Sequence, residues 1–136
     1  MNTLCWLNAS DLSKQYAMGG VRPIAAVAAT LGRAVENEPK LNSLYLLKAK
    51  EAQQAAAESE VRWKAGKPLS PLDGVPITLK ENLYTTGDPA PIGTAANPLT
   101  PKTANSPIAD RVGEAGLVLI GKTTMPDFGI DRKSVV

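Results

Sequence analysis

At 136 residues the chain is long enough for one domain with its own core and too short for two. Lys and Arg total 15 against 13 Asp and Glu, and aromatics are 4%; with Arg132-Lys133 the only adjacent basic pair, the clustered basic face and stacking platforms of a nucleic-acid binder are excluded. No histidine is present, which removes Ser-His-Asp and Cys-His catalysis, imidazole zinc sites and histidine pH switches.

The single cysteine, Cys5, cannot close an intrachain disulfide and reads as a small apolar residue. The N-terminus MNTLCWLNASD lacks the basic leader and apolar run of a secretory signal. No stretch approaches the ~20 apolar residues of a membrane span. A soluble, cytoplasmic protein with no membrane span and no bound metal or cofactor is expected.

The first half reads as helices. Asn8 or Ser10 caps a helix through Tyr16 and Ala17, which Gly19-Gly20 ends. Pro23 suits the first turn of a second helix, with Ile24, Val27, Ala28, Leu31 and Val35 as its apolar stripe and an end near Glu38-Pro39. A third helix is expected over about Ser43 to Ala65. Tyr45, Ala49, Ala52, Ala56, Ser59 and Trp63 form its core side, and Lys48, Lys50, Glu51, Glu58 and Arg62 its solvated flank.

At Gly66 the composition changes. AGKPLSPLDG is a connector, and VPITLK predicts a strand with Val75, Ile77 and Leu79 on one face. Residues 87 to 107 carry five of the 11 prolines and no periodicity, so they read as a long loop, a feature that is often functional. Ser106-Pro107 starts a helix whose buried face is Ile108, Val112 and Ala115, up to Gly116. LVLI follows as a strand buried on both faces, before KTTMPDFG turns outward. Helix, strand and turn in this order give an α/β class, divided into a helical part over about 8–65, an α/β part over about 72–130 and an atypical tail at 131–136.

Residues 116–123, GLVLIGKT, fit the phosphate-binding pattern G-x-x-x-x-G-K-[ST] letter for letter. The context does not fit. Gly116 ends a helix instead of a strand, the four x positions are strand formers that cannot take the positive φ of a phosphate nest, and Pro126 interrupts any following helix. The match is read as accidental.

PLDGVPITLKENL, TTG at 85–87, GT at 93–94, EAG at 114–116 and LVLIGKTTMPDFG occur in the order and spacing of one family. Over about residues 10–130 the chain resembles the N-terminal part of an amidase of the amidase signature family. The resemblance implies an incomplete α/β/α fold, in which N-terminal helices precede the start of a mixed sheet flanked by helices. It also implies a hydrolase of carboxamide C–N bonds in which Lys80 is the general base. A bridging serine with a cis peptide bond and a nucleophilic serine complete that mechanism.

Such a lysine has chemical requirements. Its pKa must fall from about 10.4 toward 7, worth roughly 4–5 kcal/mol. Burial or nearby positive charge must supply that shift, so Lys80 is expected to point inward, under cover.

Both serines belong to Gly/Ser-rich blocks that these 136 residues lack, and Ser134 has none of the glycine context. The chain alone is therefore expected to be inactive. Its strands VPITL and LVLI are expected to lack neighbours, which invites self-association. Two alternatives stay open: a non-catalytic interaction module, and a fragment of one component of a tRNA-dependent amidotransferase, although TTMPDFG resembles free-standing amidases slightly more. A small-molecule amide is the implied substrate of the whole enzyme.

Overall fold

The computed structural model describes residues 3–130; Ser134 and the tail at 131–136 lie outside them. A short 3-10 turn, Thr3–Trp6, precedes α1, Ala9–Met18. The Asn8 side chain accepts the Asp11 N–H at 2.9 Å, and Gly19 ends the helix at φ 69. This is the expected capping at both ends.

Helix α2, Pro23–Leu41, opens on proline as predicted but runs past Pro39. Pro39 lies in the last turn, and the Asn42 N–H still closes on the Glu38 carbonyl at 2.8 Å. The buried side is Pro23, Ala26, Val27 and Leu31. The expected stripe is corrected at Ile24, Ala28 and Val35, which are not part of the buried side. The helix is rotated so that Ala26 can meet Leu12, Tyr16 and Val75.

The expected third helix is two elements. Leu44–Leu47 is strand β1, and α3 is Ala49–Lys64. Tertiary pairing overrides the helical pattern here. β1 pairs antiparallel with the strand at 118–123, and the Lys48 N–H donates to the Ile120 carbonyl at 2.9 Å. The alanine side of α3 is as predicted: Ala52 and Ala56 are buried against Val27, Leu31, Val118 and Ile120. Their small side chains let α2 and the 118–123 strand approach closely. The expected solvated flank is corrected at Lys48 and Arg62, which are partly buried and bonded to Asp88 and Asp73.

Strand β2, Pro76–Lys80, follows the expected reading. Residues 87–106 form the long loop, stitched by isolated bridges at Thr86–Lys102 and Pro89–Pro101. Helix α4, Pro107–Glu114, starts at its proline, but it buries Ala109 while Ile108 is exposed.

Strand β3 is Val118–Thr123, longer than LVLI. The sheet order is β1-β3-β2, with β3 parallel to β2. LVLI therefore does have neighbours. β3 is central and paired on both sides, so the open edges of this three-stranded sheet belong to β1 and β2. Among the described residues no helix is long and apolar enough to cross a membrane.

Candidate active site

The segment before β2 is built around one carboxylate. Asp73 has no solvent exposure. Its two oxygens accept from the Arg62 guanidinium at 2.7 Å each, and Oδ2 also accepts the Leu69 N–H at 2.9 Å. Burial pushes this carboxyl up, but the Arg62 bonds and the Leu69 N–H outweigh it and hold it below the ordinary range. The Trp63 indole N–H donates to the Asp73 carbonyl at 2.9 Å. Gly74 and Gly116, both at positive φ, flank this group. A Cβ on Gly116 would stand 2.6 Å from Asp73 Oδ1. Gly74 N–H donates to Gly116 O at 2.8 Å, and Val118 N–H to Val75 O at 2.9 Å, which sets β2 beside β3.

That pairing carries the chain to Lys80, the last residue of β2, opposite Thr123. Lys80 is exposed, and among the described residues its amine has no hydrogen-bond or ion-pair partner. The cover that the chemistry asks for is not formed by residues 3–130.

The backbone around Lys80 is well held. Glu81 N–H donates to Thr123 O at 3.0 Å, and Leu83 N–H to Lys80 O at 2.9 Å. The Glu81 side chain is buried and accepts the Met125 N–H at 3.1 Å. Beside it lies an open cavity of about 420 Å3 lined by Glu81, Pro91, Gly93, Asn97, Leu99 and Met125.

The segment after Lys80 closes over a second lysine, which the sequence reading set aside with the phosphate-loop pattern. Lys122 in β3 is 0% exposed. Its amine donates to the Leu83 carbonyl and, at 3.0 Å, to Thr85 Oγ1. Thr85 donates to Asp88 Oδ2 at 2.6 Å, and Lys48 to Asp88 Oδ1 at 2.7 Å. Burial pulls the Lys122 amine down; Asp88 and Glu81 pull it up, and Lys48 pulls it down. The net direction is downward. Tyr45 donates to the Pro89 carbonyl, and burial with Asp88 and Glu81 nearby pushes its hydroxyl up to about 12. The available signal was a lysine two residues after the apolar run LVLI, close enough to continue the same buried strand. The Gly116–Thr123 segment is turn and strand, with its lysine sealed from solvent, so it offers no phosphate-wrapping loop.

Comparison with known proteins places this architecture. The family model Amidase matches residues 25–135. A mitochondrial glutamyl-tRNA(Gln) amidotransferase component of Ixodes scapularis is 38% identical over 106 residues, 76% of this chain and 21% of that protein. The acylamidase of Rhodococcus erythropolis is 29% identical over 126 residues, 93% of this chain and 26% of its own. A crystal structure of an amidase superposes with TM-score 0.80 at 28% identity, over 90% of this chain and 28% of that one. The chain thus spans about a quarter of the length of the relatives it matches. From this agreement of motif order, sheet and turn chemistry, the chain belongs to the amidase signature family.

Proposed function

We propose that this chain supplies the lysine arm of an amide-hydrolysing site, with Lys80 as general base. The observation that carries the reading is the placement of Lys80: a side-chain amine without a partner among the described residues, on a backbone held at Glu81 and Leu83. Membership of a family whose similar members include an acylamidase supports it.

In this reading the neutral Lys80 amine takes a proton from the bridging serine, which takes one from the nucleophilic serine. The serine oxygen attacks the amide carbon, the C–N bond breaks, and the proton held on Lys80 returns through the bridge to the departing amine. Water then cleaves the ester. The serines come from outside these residues, so residues 1–136 alone do not turn over an amide.

The test is a chimera in which residues 25–130 replace the matching quarter of the Rhodococcus erythropolis acylamidase. It should hydrolyse a carboxamide, and Lys80→Ala should abolish that activity while leaving the thermal midpoint unchanged. A Lys80→Ala chimera with near-normal turnover overturns the reading.

A second reading is a part of an amidotransferase, favoured by the 38% identity to the Ixodes scapularis protein. The same site would then release ammonia from an amide donor for transfer to another acceptor.

A further inference from the structure

We propose that Lys122 is a positioning residue, whose buried amine straps the segment leaving Lys80 onto the central strand and so fixes where the Lys80 side chain starts. The proposal rests on the reading of Lys80 as the base.

An ammonium taken out of water costs several kcal/mol unless its hydrogen bonds are replaced. A β3 position that needed only volume would be filled more cheaply by Leu or Met. Lys122 is next to Leu79 in the β2–β3 register, one residue before the Lys80–Thr123 pair. From there its amine reaches across to Leu83 and Thr85, on the far side of the turn that follows Lys80.

Leu83 is bonded at both of its backbone groups. Its N–H donates to the Lys80 carbonyl, and its own carbonyl accepts from Lys122. Thr85 passes the connection to Asp88, and Asp88 to Lys48 at the start of α3. Thr85, Asp88 and Lys122 are all buried. The strap therefore runs from β3 through residues 83–88 to α3, and Lys80 stands at its root. Asp88 supplies the negative charge between the two lysines, which lets two cations share one buried cluster.

The experiment uses the 136-residue chain, isotope-labelled, as wild type, Lys122→Met and Thr85→Val. Amide hydrogen exchange is read at Glu81, Leu83 and Asp88 and, as reference, at Ala52 and Ala56. The backbone resonances of Lys80 are followed in the same samples. Each variant removes two bonds of the strap, Lys122→Met those to Leu83 and Thr85 and Thr85→Val those to Lys122 and Asp88. Exchange at the three strap amides should speed at least about tenfold while the α3 amides stay within about twofold. The Lys80 resonances should shift in both variants.

Unchanged strap exchange, or unmoved Lys80 resonances, overturns the proposal. So does acceleration spread evenly through the chain, which would make Lys122 a part of general stability only. If Lys122→Met does not fold, Thr85→Val decides by the same criteria, since it removes one acceptor of the amine and leaves β3 intact. No turnover is measured, so this outcome is independent of whether the Lys80→Ala chimera loses activity.

Discussion

Arg62 on α3 and Asp73 in the turn before β2 form a two-bond fork, 2.7 Å at each bond, with the carboxylate wholly buried. Asp73 is the acid of PLDGVP, so the most distinctive block of the sequence is an anchor for the strand that presents Lys80. Removing Arg62 leaves a buried charge without its counter-ion. Arg62→Ala should cost about 3 kcal/mol in a denaturant titration. Arg62→Lys should recover only part of this, because an ammonium cannot make the parallel pair of bonds.

The same fork dictates behaviour in acid. Asp73 has its carboxyl held below the ordinary value of 3.8, so the folded chain binds its proton less readily than the unfolded chain. Its stabilising contribution is complete above that value and drains away as the pH falls through it. Urea midpoints measured from pH 6 to pH 2 should decline most steeply below about pH 4. In Arg62→Ala that decline should be shallower.

Gly116 joins α4 to β3 at φ 77, with Asp73 Oδ1 2.6 Å from where a Cβ would be. Gly116→Ala therefore combines a left-handed backbone with a collision against the fork. A loss of about 2–3 kcal/mol is expected. Gly113→Ala, in a helix and with open space around it, should stabilise slightly. The two thermal midpoints should move in opposite directions.

Lys80 is exposed, so Lys80→Ala in the 136-residue chain should change stability by no more than about 0.5 kcal/mol. Calorimetry on the chain and turnover in the chimera then separate folding from chemistry at one position.

Lys122 is sealed inside the sheet and the residues before it are paired strand. Equilibrium dialysis with ATP and GTP should show no saturable binding to the chain. Saturable binding lost in Lys122→Ala would restore the nucleotide reading.

Capping and turn chemistry were legible because they act within a few residues. Asn8, Gly19 and Pro23 fixed helix ends through bonds or dihedral limits visible in the local sequence. VPITLK alternated as a strand does, and the proline-rich run after residue 87 carried no period. The failures share one cause. Leu44–Leu47 has a pattern compatible with a helix, and only the antiparallel pairing with β3 makes it a strand. Ile24, Val35 and Ile108 are apolar and exposed, since periodicity identifies an apolar face without saying what meets it. Lys48 and Arg62 looked like surface charges until Asp88 and Asp73, 40 and 11 residues away, came beside them.

Class, family and the position of Lys80 follow from local spacing and from blocks of residues kept in order, so they can be read along the chain without its coordinates. Which lysine is buried is a matter of three dimensions. Lys122 meets Leu83 and Thr85 across 39 and 37 residues, and the burial of a charge depends on such distant partners replacing its lost water. Lys80 has no such partner within residues 3–130, so its amine remains in solvent while Lys122 is enclosed.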